Sequence, residues 1–330
     1  MQYSDYLGHE SQISGIEEHR LVGGRGDGMR LLEVRNGKGL ECTVSADRCA
    51  DISRLTFMGR NMGLFSPSGY VAPAYYDDEG LGWLKSFTAG FMTTCGLSAV
   101  GSPCTDEGEE LPLHGRISNM PAEHIWWHRE KDELVVEADV WEAQMFARKL
   151  QLHRKIAFST EENKLTITDT VENHGDTVSP VMVLYHINMG YPLLSEKAEV
   201  VIPSVKVTPR DDHAAKHIST HLTVHKPTAG FQEQCYYHEF TDLGKAKIYN
   251  PDIGLGLAIT FDTKQLNSFC QWKMMGKHDY ALGLEPGNCT PDGRDVMRKE
   301  GKLSLLTPGE TKEFSFTITF FDDLAAWKNA

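Results

Sequence analysis

The sequence has no basic surplus. Its 330 residues carry 33 Lys and Arg against 46 Asp and Glu, a formal net charge of -13 at pH 7. Such a surface cannot neutralise a phosphate backbone, which excludes a nucleic-acid binder. Nor is it drawn to anionic lipid. No run of eighteen apolar residues occurs, so no membrane-spanning helix is expected. The opening "MQYSDYLGHE" is polar and lacks a charged-then-apolar leader. None of the seven cysteines stands in a C-x-x-C pair, and the Cys42/Cys49 and Cys95/Cys104 spacings fit neither a zinc knuckle nor a disulfide framework. A reducing, cytoplasmic setting follows, in which the Asn288-Cys289-Thr290 sequon carries no meaning. There is no G-x-S-x-G elbow and no reactive-cysteine motif, so covalent catalysis has no obvious carrier. "GGRGDGMR" (Gly23 to Arg30) lacks both the glycine spacing and the strand-to-helix setting of a phosphate loop, and reads as a turn before a strand.

What the chain does have is period-two alternation. "LLEVRNGKGLECTVS" is two alternating runs about an Asn36-Gly37 turn, a hairpin signal. "DELVVEADVWEA", "KLQLHRKIAFSTEENKLTITDTVENHG", "AEVVIPSVKVTP", "AKIYNPDIGLGLAITFD" and "KLSLLTPGETKEFSFTITFF" continue it, rich in the Val, Ile, Thr and Phe that suit half-buried pleated surfaces. Helical patterns are scarce: one short helix near Leu81 to Phe87, and one in the tail "DDLAAWKNA" capped by Asp322 or Asp323. With no repeat period and no linker, the expectation is an all-β sandwich forming one domain over residues 1–330.

Four histidines, His213, His217, His221 and His225, recur at a spacing of four. On a helix they would share a face and could hold a metal. The Ile, Ser, Thr and Val between them favour a strand, where successive positions lie about 13 Å apart, too far for one ion. Three other stretches end apolar runs in a polar residue and then turn: "LPLHGRISN", "LYHINMGYP" and "LGLEPGNC". In the first, Gly115 permits close approach at His114, and Arg116 offers a donor fork. In the second, His186 closes a face that holds Met182 and Leu184, with Asn188 on the same side. In the third, Glu285 shares its face with Ala281 and Gly283, small neighbours that leave room for a carboxylate. One Glu and two His make a complete acid-base set.

The order "LHG", a His-x-Asn strand end, then "LEPGN", resembles the aldose 1-epimerase (galactose mutarotase-like) superfamily, and within it the DUF4432 branch. "DRCADISRLTFMGRNMGLFSP", "FMTTCGLSAVGSP" and "VTPRDDHA" resemble it too, so the likeness spans most of the chain. It implies a large antiparallel β-supersandwich with few short helices and a sugar cleft on one concave sheet. It implies Glu285 as general base, His186 as general acid and His114 as a supporting sugar contact. Arg48, Asp51, Arg116, Asn188, Trp272 and Lys273 become candidate sugar contacts, and Asp211 or Asp212 a hydroxyl-binding residue. The residues flanking the acid and the base depart from those of active mutarotases, so galactose or glucose is not implied. Arg116 and Lys273 point by charge alone to an acidic or phosphorylated sugar.

The expected protein is a cofactor-free, metal-free sugar mutarotase or related epimerase acting on a small sugar. His186 and Glu285 are expected to face each other across a gap the width of a pyranose. The alternatives are a carbohydrate-binding or regulatory protein that kept the cleft without turnover, and a metal-dependent sugar isomerase using the His213 to His225 series. Neither the identity of the sugar nor the oligomeric state is written in the sequence.

Overall fold

A computed structural model describes residues 5–330; the polar N-terminal stretch in which no leader was read begins at Met1, and its first four residues lie outside the described part. Three large antiparallel sheets dominate. An eight-stranded sheet runs in the order Ala122–Glu130, Glu133–Ala143, Lys149–Ser159, Lys164–Asn173, Thr311–Phe321, Leu255–Asp262, Leu243–Asn250 and Glu199–Val201. A six-stranded sheet runs Lys206–Pro209, Gln234–Glu239, Ser268–Met275, Tyr280–Gly287, Met182–Met189 and Met92–Leu97. A five-stranded sheet gathers the N-terminal strands from Gly15–Arg20 to Arg60–Asn61. This is the expected β-supersandwich. No helix among the described residues is long and apolar enough to cross a membrane.

The predicted hairpin forms where its turn chemistry places it. Strands Arg30–Arg35 and Leu40–Ser45 pair antiparallel. Gly37 takes φ +80, and the Asn36 side-chain oxygen accepts from the N–H groups of Lys38 (2.9 Å) and Leu40 (3.0 Å). The tail helix, Leu324–Asn329, is capped by Asp323, whose carboxylate accepts from Ala326 N at 2.7 Å. The expected helix near Leu81 is only a 3-10 turn, Gly82–Lys85.

The histidine segment departs from expectation. It forms a short α-helix, Asp212–Lys216, and a 3-10 turn, Ile218–Thr220, rather than a strand. Asp211 caps the helix by accepting from Ala214 N at 2.8 Å, and two alanines follow. Cap and propensity outweigh the β-branched residues further on.

Strand alternation divides the six-stranded sheet. Val183, Tyr185, Ile187, Leu282, Leu284 and Phe269 face the main core, packed against the other two sheets. Met182, Leu184, Cys235, Cys270 and Trp272 belong to a smaller cluster on the other face, under the loops that carry Trp83, Phe87 and Leu113. Each large apolar side chain fully removed from water contributes roughly 1.5–3 kcal/mol before its entropy cost.

A buried polar network ties the three sheets together behind the smaller cluster. Arg154, fully buried, donates to Asp169 (2.9 and 2.6 Å), to Asp51 (2.7 Å), to the Cys49 carbonyl (2.9 Å) and to Thr94 Oγ1 (2.7 Å). Tyr185 OH donates to Asp169 at 2.8 Å, which fixes the strand that carries His186 from its core side.

Candidate functional site

Sheet register brings the floor of the site together. The strands Met182–Met189 and Tyr280–Gly287 pair Leu184 with Gly287 and Asn188 with Gly283, which sets His186 across from Glu285. Cys270 pairs with Glu285 on the next strand, and Trp272 with Gly283. All of these side chains lie on the face away from the core. Gly283 is required there: an added Cβ would overlap the Glu285 carboxylate and press on Trp272.

His114 reaches the same floor from a loop. Its own φ is +57, a conformation held by backbone hydrogen bonds from His114 N to Gly101 O (2.8 Å) and from Gly96 N to His114 O (3.1 Å). Gly115 follows at φ +71, and a Cβ there would collide with the carbonyl oxygens of Gly96 and Ala99. Its freedom thus serves a close backbone approach rather than a ligand. The His114 ring lies 5.8 Å from the His186 ring and 4.8 Å from Trp83; Phe87 and Trp272 flank His186 at 5.4 and 5.2 Å.

These residues line a cavity of about 410 Å³, the scale of a small-molecule site. His186 Nδ1 and Glu285 Oε1 are 3.2 Å apart. They are not aligned as a hydrogen bond, and each is buried without a partner, as is His114 Nδ1. Three buried polar atoms without hydrogen-bond partners are thus gathered among the residues of one cavity, an arrangement that costs free energy.

Burial pushes the Glu285 carboxyl well above the usual carboxylate range; Cys235 and Glu233 add to this, and Cys270 and Arg210 offset only part. Burial lowers His186 to about 4, against the opposing pull of Asn188 and Glu233. It lowers His114 to about 3, with His186 adding to the effect. Burial thus disfavours the charged form of all three groups, the carboxylate of Glu285 and the imidazolium of His186 and of His114.

Two charged residues that sequence reasoning missed stand at the side of the cavity. Arg210 donates to Glu233 at 2.8 Å, and Glu233 accepts the Trp272 indole N–H at 2.9 Å. Burial alone would raise the Glu233 carboxyl, but these two donors outweigh it and hold the group below its usual range. Arg210 immediately precedes the Asp211-Asp212 pair that drew attention. Nothing in the sequence around Glu233 marks it.

Several expected contacts do not reach the cavity. Trp272 lines it, and Lys273, its neighbour on the same strand, points to the opposite face, where its ammonium donates to Thr220 O at 2.8 Å and burial lowers it to about 8. Arg116 donates to Asp78 at 3.0 Å and lines a separate acidic depression. Arg48 is a structural clamp on the carbonyls of Ser118 (2.6 Å), Val71 (2.9 Å) and Ser86 (2.9 Å). Asp51 belongs to the Arg154 network, Asn188 Nδ2 turns to backbone carbonyls including His186 O at 2.9 Å, and Asp211 is the helix cap. Asp212 lies exposed in the first turn of that helix. With Arg116 and Lys273 elsewhere, the expectation of an acidic or phosphorylated sugar loses its carriers. The pyranose-wide gap between His186 and Glu285 is also absent, because adjacent strands hold them in contact. The four histidines do not converge, and among the described residues no group of three His, Cys, Asp or Glu side chains could hold a metal ion.

The sequence profile of DUF4432, a domain of unknown function, matches residues 26–320. A solved structure from Klebsiella pneumoniae, provisionally named an aldose 1-epimerase, superposes with a TM-score of 0.90 at 29% identity, covering 95% of this chain and 85% of that one. A galactose mutarotase-like protein from Clostridium acetobutylicum gives 0.68 at 14% identity, over 94% and 99% of the two chains. A galactose 1-epimerase from Lactobacillus acidophilus gives 0.63 at 14% identity, over 93% and 99%. The two at 14% identity share the fold. No curated protein matches the chain in sequence.

Proposed function

The chain belongs to the DUF4432 family, and from that premise we propose that it is a sugar mutarotase, a carbohydrate epimerase that interconverts anomers by acid-base ring opening. The observation that carries this reading is the trio of unpartnered polar atoms, His114 Nδ1, His186 Nδ1 and Glu285 Oε1, gathered in one cavity.

Ring opening takes a proton from the anomeric hydroxyl and gives one to the ring oxygen while the bond from C1 to the ring oxygen breaks. The product is the open-chain aldehyde; rotation about the C1–C2 bond and the reverse steps give the other anomer. Both oxygens are bonded to the same carbon, so an acid and a base in contact serve them better than groups on opposite sides of the ring. The His186–Glu285 pair needs one proton between its members to do this. Burial favours that proton on Glu285, since it raises the carboxyl and lowers His186. For Glu285 to act as base the two side chains turn into line and the proton passes across the 3.2 Å to His186, leaving carboxylate and imidazolium. The anomeric hydroxyl donating to the carboxylate, and the ring oxygen accepting from the imidazolium, both favour that charged form. His114 stays neutral and supports the ring oxygen as a hydrogen-bond donor. Trp272 and Phe87 offer apolar faces for the sugar's C–H surface.

The resting proton on Glu285 also favours a second reading, a cleft that binds sugar without turnover. Exchange between anomers, followed by NMR at equilibrium, separates the two. A mutarotase accelerates exchange, and Glu285→Gln abolishes the gain; binding without acceleration leaves the second reading.

A further inference from the structure

We propose that the sugar taken by this cleft is a neutral deoxy sugar of the 6-deoxyhexose type, in preference to a fully hydroxylated hexose, a uronate or a sugar phosphate. The inference rests on the mutarotase reading and names the substrate class of the same site.

The polar groups of the cavity are unevenly spread. The three unpartnered atoms belong to residues on the floor, and the mutarotase reading assigns them to the anomeric hydroxyl and the ring oxygen. Away from the floor, the charged side chains lining the cavity are Arg210 and Glu233, and these neutralise each other at 2.8 Å. Arg210 is committed to that pair, and among the described residues no second Arg or Lys lines the cavity. A carboxylate or phosphate on the sugar would lose its water without gaining a counter-charge.

An apolar wall of the cavity is made by Leu81, Leu84, Phe87 and Leu113, whose side chains carry no donor or acceptor. Leu81 and Leu84 are 60% and 51% exposed, large apolar side chains left facing solvent at the rim. The carbon that bears C6 is bonded to the ring oxygen, so the C6 substituent lies close to the group that serves that oxygen, His186. Phe87, itself part of this wall, packs 5.4 Å from the His186 ring. A hydroxyl placed there gains no hydrogen bond from these side chains, whereas a methyl group covers exposed leucine. An apolar pocket discriminates on this basis by ten-fold or more.

The test is anomer exchange measured by NMR on sugars differing only at C6: the hexose, its 6-deoxy form, its uronate and its 6-phosphate, in the galacto, gluco and manno configurations of both the D and L series. The expected result is that in the configuration turned over best, the 6-deoxy sugar exceeds its parent in kcat/KM by at least ten-fold, with the uronate and phosphate slowest. A parent, uronate or phosphate equal to or faster than the deoxy form overturns this inference and leaves the mutarotase reading standing. Acceleration of no sugar in the panel overturns both. Leu84→Asn gives a second measure: it lowers the deoxy-to-parent ratio several-fold, and an unchanged ratio refutes the role assigned to the wall.

Discussion

Replacing Arg154 by methionine tests whether the polar network behind the site is structural. The guanidinium makes five hydrogen bonds, three of them to the carboxylates of Asp51 and Asp169. Methionine fills comparable space and makes none. Asp51 would keep Thr94 N (2.8 Å) and Thr94 Oγ1 (2.6 Å), and Asp169 would keep Tyr185 OH (2.8 Å). Two carboxylates would then share a buried site without a cation, a loss of about 3–5 kcal/mol. Asp51→Asn should cost less, about 1–3 kcal/mol, because Arg154 and Asp169 still balance, and the main loss is that the new amide meets Thr94 N as donor against donor. Urea denaturation gives both values, and sugar affinity of the folded variant gives the control. Asp51→Asn should leave that affinity within two-fold of the parent's. If it leaves stability unchanged and abolishes binding, Asp51 is a sugar contact and the network reasoning is wrong; an Arg154→Met loss under about 1 kcal/mol would be equally damaging.

Stability should fall as pH drops from 6.5 toward 4. The unfolded chain takes up protons at the ordinary histidine value, while buried His186 and His238, lowered to about 4, and His114, lowered to about 3, do not. Their contribution is therefore present above 6.5 and lost as pH falls through the lowered values, at up to about 1.4 kcal/mol per pH unit for each imidazole, and these three imidazoles outnumber the raised carboxyls of Glu285 and Asp51, which act the other way. Urea midpoints constant between pH 7 and 5 would contradict this. For the activity itself, the acid limb of kcat/KM on the folded protein should fall near pH 4, and a limb near 6.5 would mean that His186 is not held neutral. Gly283→Ala should reduce turnover at least ten-fold by displacing the Glu285 carboxylate while the protein remains folded, as judged by circular dichroism. Lys273→Met and Arg116→Gln should leave sugar KM unchanged, since neither side chain reaches the cavity; a KM raised ten-fold by either would reinstate an anionic substrate.

The sequence by itself determined the strand content, the Asn36-Gly37 hairpin, a tail helix capped by Asp322 or Asp323 and the face on which His186 and Glu285 each lie. These follow from local rules: alternation sets the face, and turn and cap residues satisfy backbone groups nearby in the chain. Gly283 was legible for the same reason, as the small neighbour a carboxylate needs on its own face. The same alternation also shows that Trp272 and Lys273 cannot both line one pocket. The histidine segment was misjudged because one capping aspartate and two alanines outweighed the β-branched residues that follow.

Only the tertiary structure decided which polar residues share a cavity. Sheet order joins strands distant in sequence, and register turns that order into the 3.2 Å contact of His186 with Glu285. Charge offers no guide to whether an Arg or Asp is a ligand contact or a core anchor: Arg48, Asp51 and Arg154 are all buried because partners from other elements satisfy them. Those partners come from long-range packing, which is not written in the sequence: it hid Arg210 and Glu233, and it makes Asp51, a candidate sugar contact by resemblance, a partner of Arg154 and Thr94.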